Sequence, residues 1–280
     1  MRSPSRIDAH HHVWELARRP HRWLEDPALA PVRADCTPAA YAVEAAAAGV
    51  SGAVLVQVLH DPAETREFLA VAAAWPLVAG VVGWADLAAP DLAGELDALA
   101  AAPGGGRLAG LRHLAFADPD PRWLGRDDVR RGLALLGRRG LAYDLVIGPH
   151  QLPLAAATAR ALPGVAFVLD HLGNPPVGNG DPRPWADGLR ELARLPNVTC
   201  KLSGLARPGR DAALLRPYAE VALDAFGPDR LMYGSDWPLC LLGGSYAAWA
   251  GTVDALIATL SPDERAAVLH RTATAVYHLT

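Results

Sequence analysis

Eight short apolar runs alternating with helical stretches constrain this chain more than any other feature. Runs suited to strands buried on both faces fall at 7–14, 53–58, 78–84, a short run ending in Gly110-Leu111-Arg112-His113, 141–147, 165–170, 198–202 and 230–234. Helical sequence separates them at 38–49, 61–75, 91–102, 127–139, 151–162, 182–195 and 211–226, and two more helices follow at 246–260 and 262–279. Thr37-Pro38 has the form of a helix start, threonine as N-cap and proline in the first turn, and Ser261-Pro262-Asp263-Glu264 has the capping-box spacing. Strands that alternate with helices pair in parallel through right-handed crossovers. Eight such units in 280 residues predict an α/β fold, a single (β/α)8 TIM-type barrel spanning residues 1–280 as one domain. No Gly-x-Gly-x-x-Gly follows a strand, which removes the dinucleotide-binding alternative.

A chain that is 51% hydrophobic and 20% charged can fill such a core. A net charge of −4 without a basic run argues against nucleic acid, and no apolar span is long enough for a membrane. Three scattered cysteines form no disulfide framework, and no apolar secretory core precedes Ile7. A cytoplasmic protein is the expectation.

In a barrel of this kind the chemistry lies at the C-terminal ends of the strands. Reading those ends gives His10 and His12 from the first strand, Arg112 and His113 from the fourth and the stretch from Asp144 to His150 after the fifth. The sixth gives His171, the seventh Lys201 and Ser203, and the eighth Asp236. Strand alternation sends His10 and His12 to one side and His11 to the other. Imidazoles, a carboxylate and a guanidinium gathered at one mouth are not a core composition. Arg112 is read as a fork for substrate oxygens, with a strand-end salt bridge as the other reading. His150 is read as a proton donor to the leaving oxygen, with a capping role as the other reading. Trp14, Trp23 and Trp237 flank the mouth and are candidates for stacking on a substrate ring. His113 is read as structural. Lys201 points inward or pairs with an acid such as Asp170. His21, His60, His270 and His278 are read as packing or solvent-facing residues.

Several stretches are similar to those of a known family: IDAHHHVW at the start, GLRHL near 110, DLVIGPHQLP from 144 and VLDHLGNPP from 168, then Trp185, LPNVTCKLSGL from 195 and LMYGSDWP from 231. In order and nearly end to end, the chain resembles the amidohydrolase superfamily, in particular its sugar-lactonase group, which includes L-fuconolactonases and L-rhamnonolactonases. The resemblance implies hydrolysis of an aldonolactone to the open hydroxy acid. It makes His10, His12, His171 and Asp236 candidate ligands of a divalent metal, Asp236 the base for the attacking water, and a small sugar lactone the partner. The fourth strand offers Arg112-His113 where binuclear members carry a bridging lysine or glutamate, so one metal at most is expected. Zinc suits these donors, and metal-independent use of the same residues stays open. A decarboxylase acting on an unsaturated or aromatic acid is the alternative activity, and a non-catalytic binding barrel is a third reading.

Overall fold

The computed structural model describes residues 6–280. Its strands are β1 (Arg6–His11), β2 (Val50–Val56), β3 (Val78–Gly83), β4 (Leu108–His113), β5 (Ala142–Leu145), β6 (Phe167–Leu169), β7 (Val198–Leu202) and β8 (Leu231–Tyr233). They stand in chain order in one sheet, each parallel to the next. Closure comes just beyond β8: the His12 amide donates to the Trp237 carbonyl (2.7 Å) and the Asp236 amide to the His10 carbonyl (2.8 Å). The expected (β/α)8 barrel is the architecture found.

Helices α1 (Pro38–Ala47), α2 (Pro62–Ala74), α3 (Leu92–Ala101), α4 (Asp127–Arg138), α5 (Leu152–Ala161), α6 (Arg183–Ala193), α7 (Ala212–Phe226) and α8 (Tyr246–Leu256) follow the strands in turn. Their starts are chemically marked. Thr37, Asp61, Asp91, Asp211 and Ser245 each accept a first-turn amide. On α4, Val129, Leu133 and Leu136 lie fully buried against the barrel at helical spacing. Each such side chain contributes about 1.5–3 kcal/mol of burial. No helix among the described residues is long and apolar enough to cross a membrane.

The strands are shorter than the apolar runs at several ends. β1 stops at His11 because the backbone beyond it leaves the ladder: Trp14 pairs antiparallel with Cys36 instead of continuing beside β2. The helix expected over 262–279 is divided into α9 (Pro262–Ala266), a π-helical turn (Ala267–Arg271) and α10 (Thr272–Val276). The wide turn serves two cores at once. Val268 and Leu269 pack in the layer between strands and helices, whereas Ala273 and Tyr277 enter the barrel interior. There they join Ile7, Ala9, Val54, Val56, Val82, Ala109, Ala142, Val168 and Met232. The small side chains of Ala9, Ala109 and Ala142 leave room for the Tyr277 ring, whose hydroxyl donates to Asp144 (2.8 Å).

Asp8 fastens the first strand to the last. Fully buried, it accepts the amides of His10 (3.1 Å) and Ser235 (2.8 Å) on Oδ1 and the hydroxyls of Tyr41 and Tyr246 (2.9 Å each) on Oδ2. An Asp8→Ala variant leaves these donors buried and unpaired, and should lose about 3–5 kcal/mol of unfolding free energy in urea titration.

Candidate active site

The site begins with a bulge in β1. Pairing with β2 shifts register between Asp8 and His11, so both residues face the helix layer and meet Tyr41. The His11 ring stacks on Tyr41 at 3.8 Å, while His10 and His12 turn into the barrel mouth with their Nε2 atoms 3.2 Å apart. A bulge re-aims side chains in this way beside many active sites. The other two expected ligands sit on strained backbone. His171 and Asp236 have φ of 56° and 57°, in the left-handed region that costs non-glycine residues energy. Gly204, at φ 70°, lets the loop after β7 close over His171: a Cβ there would lie 2.3 Å from His171 Nδ1.

These elements bring His10, His12, His171 and Asp236 together. Asp236 Oδ1 lies 3.4 Å from His12 Nε2 and 3.7 Å from His10 Nε2, and the His10 and His171 rings are 4.6 Å apart. Hydrogen bonds behind the rings set their orientation. His12 Nδ1 donates to the Val56 carbonyl (2.7 Å), which leaves the Nε2 lone pair facing the mouth. Arg112 Nη1 donates to His10 Nε2 (3.1 Å), and on the other edge of the ring Lys201 Nζ and Asp170 Oδ1 lie 3.1 and 3.3 Å from Nδ1. His171 Nδ1 pairs with Ser203 Oγ (2.8 Å). Ring nitrogens of His10, His12 and His171 and the buried Asp236 Oδ1, which has no hydrogen-bond partner among the described residues, therefore converge, with His10, His171 and Asp236 each offering an atom within 4.8 Å of the others. A divalent cation is what such a donor set fits, with carboxylate and hydroxyl partners behind the rings.

Burial alone would raise the Asp236 carboxyl, but His171, His12 and His10 outweigh it and hold it below the usual carboxylate range. Burial likewise pushes the His10 and His171 imidazoles below their ordinary range. Beneath them lies a closed set of charges. Lys201 Nζ contacts Asp144 Oδ2 (2.5 Å), Asp170 Oδ1 (3.0 Å) and His10 Nδ1 (3.1 Å). Arg112 meets Asp170 Oδ2 (3.0 Å) and wraps the backbone and side-chain oxygens of Gln57. Two carboxylates face two cations, all nearly or fully buried.

Above this floor opens a cavity of about 580 Å³ lined by His12, Trp23, Val58, Arg112, Leu114, Phe116, Ala117, Val146, Gly148, His171, Asn174, Gly204, Arg207, Asp236 and Leu239. Among the expected substrate contacts, Trp23 and Arg112 reach it. Every Arg112 N–H is engaged by protein acceptors, the salt-bridge reading, so its fork is not free for substrate. Trp14 faces a separate cavity of about 390 Å³ and donates to the Ala34 carbonyl, and Trp237 is buried against Tyr41. His150 is exposed and outside the cavity lining; in its turn it is Gln151 that folds back onto the Gly148 amide. His113 packs outside the barrel between His60 and Trp123, with its Nε2 on Asp118. Lys201 takes the acid-paired position. Asn174, Arg207 and Phe116 were not singled out by their sequence, since loop side chains carry no periodic signal.

A family model described as amidohydrolase matches residues 7–279. The chain belongs to the amidohydrolase family. Two curated relatives are named L-fucono-1,5-lactonase. The one from Burkholderia multivorans is 37% identical and the one from Burkholderia ambifaria 35% identical, and each match spans 98% of this chain and 96% of the relative. Among solved structures, an amidohydrolase from Burkholderia multivorans with bound zinc aligns with TM-score 0.90 at 36% identity, over 99% of this chain and 100% of that one.

Two measurements probe the site. Gly204→Ala should push His171 aside and cut turnover by at least about tenfold, with the barrel still folded by circular dichroism. Glu64 on α2 is buried and accepts the Val58 and Leu59 amides beside the cavity. Burial pushes its carboxyl from 4.5 up to about 7, against those donors. The folded protein therefore keeps a proton that the unfolded chain releases, and the group's contribution to stability falls as pH rises through that interval. Replacing Glu64 with Gln should abolish the decline, improving the variant relative to wild type by about 3 kcal/mol between those limits in urea titrations.

Proposed function

We propose that this protein is a hydrolase that opens a sugar-derived lactone to its hydroxy acid. The observation that carries the reading is the meeting of three imidazoles and Asp236 at the floor of a cavity of about 580 Å³, room enough for a sugar-sized ring. The lactonase names of the relatives favour ring opening over decarboxylation.

His10, His12, His171 and Asp236 are the residues that would hold one divalent ion, zinc by the chemistry of nitrogen and carboxylate donors. When bound, such an ion lowers the pKa of water towards ~7 and polarises a carbonyl. The chain's own groups account for the proton. The Asp236 carboxyl is held below the usual carboxylate range, and its Oδ1 has no competing partner among the described residues, so it can accept a proton from a water in the mouth. That water attacks the lactone carbonyl carbon. Charge developing on the carbonyl oxygen lies at the same pole as the Arg112 guanidinium, whose field favours it. The bond from carbonyl carbon to ring oxygen then breaks, and Asp236 returns its proton to the departing oxygen. His150 is too exposed for that task. Trp23 gives the ring a flat, apolar neighbour.

The decisive variant is Asp236→Asn. It should lower kcat about a thousandfold or more on L-fucono-1,5-lactone, followed with a pH indicator, while keeping a wild-type melting curve. Undiminished turnover would sink the assignment.

A further inference from the structure

The cavity has two sides. β6 and β7 supply His171, Asn174 and Arg207, while the sector from β2 to β5 supplies Val58, Leu114 and Phe116. In an eight-stranded ring, β7 stands across the mouth from β3, so the oxygen-seeking side and the apolar side face each other over the reacting pole.

Two guanidiniums reach this cavity, and only one has donors to spare. Arg112 is consumed by Gln57, Asp170 and His10. Arg207 is half-buried, its Nη1 donates to the Ala206 carbonyl (2.7 Å), and no carboxylate pairs with it among the described residues. Its backbone is held in place: a Cβ on Gly243 would lie 2.7 Å from the Arg207 amide nitrogen, and Gly204 packs against His171. A guanidinium with unspent planar donors, anchored at a cavity wall, is suited to reading two neighbouring oxygens at once.

We infer that Arg207 determines specificity by binding vicinal ring hydroxyls of the lactone. The substrate's hydroxylated edge then lies toward β6 and β7, and its least polar edge lies against Leu114 and Phe116. This inference rests on the lactonase reading. It adds the chemical demand that the ring carry adjacent hydroxyls.

The test compares wild type, Arg207→Met and Arg207→Lys on L-fucono-1,5-lactone and on unsubstituted δ-valerolactone. For δ-valerolactone, KM is used, or its inhibition constant where turnover is slow. Arg207→Met should raise KM for the hydroxylated lactone about tenfold or more while kcat changes less than KM. Its effect on δ-valerolactone should be at least about tenfold smaller, and Arg207→Lys should fall between the two proteins. Equal losses on both lactones, or no loss on either, would overturn the role of Arg207 and leave the lactonase reading standing. A wild-type protein that neither hydrolyses nor binds any lactone would overturn both.

Discussion

Everything at the mouth of this barrel depends on one buried carboxylate. Asp8 accepts donors from its own strand, from the turn after β8 and from two tyrosines on different helices. Its bond to Ser235 fixes the residue before Asp236, and its bond to the His10 amide shapes the bulge that aims His10. Burial raises the Asp8 carboxyl, while the hydrogen bonds from Ser235, Tyr41 and His10 favour its ionised form. A group in this position joins residues more than two hundred apart in sequence into one rigid corner. The strained φ values of His171 and Asp236 are tolerable only because such surroundings leave the backbone no cheaper choice.

Below that corner, Lys201 and Arg112 face Asp144 and Asp170, all of them buried. Taking such charges from solvent is expensive, and a well-packed apolar core of the same volume would often be at least as stable. What the arrangement supplies is orientation. Asp170 sits behind His10, Arg112 in front of it and Lys201 beside it, so the ring has one orientation. With Arg112 committed in this way, Arg207 on the loop after β7 is the cavity guanidinium with no carboxylate partner among the described residues.

The sequence made the barrel legible because each strand is a compact apolar run and most helices begin with a capping side chain. His10, His12, His171 and Asp236 were legible for a related reason: they are polar where an apolar run stops. What it concealed were features set by irregular backbone. Simple alternation puts Asp8 on the same face as His10 and His12, and only the bulge sends it outward. Trp14, Trp237 and His150 lie close to strand ends in sequence, yet one or two turn residues send Trp14 and Trp237 into packing and His150 to the surface. Asn174 and Arg207 stand on loops whose course depends on left-handed residues at 171–174 and on Gly204, and nothing in the local pattern announces that.

The Tyr277 ring fills the centre of the barrel floor and touches the carboxylate that pairs with Lys201. Its partners in that layer include Ile7 and Ala9, from the opposite extreme of the described chain. During synthesis the ribosome delivers those two regions at widely separated moments. A nascent chain with all eight strands in place would still have a hollow base and an incompletely hydrogen-bonded Asp144. Completion of this interior layer therefore awaits the emergence of Tyr277.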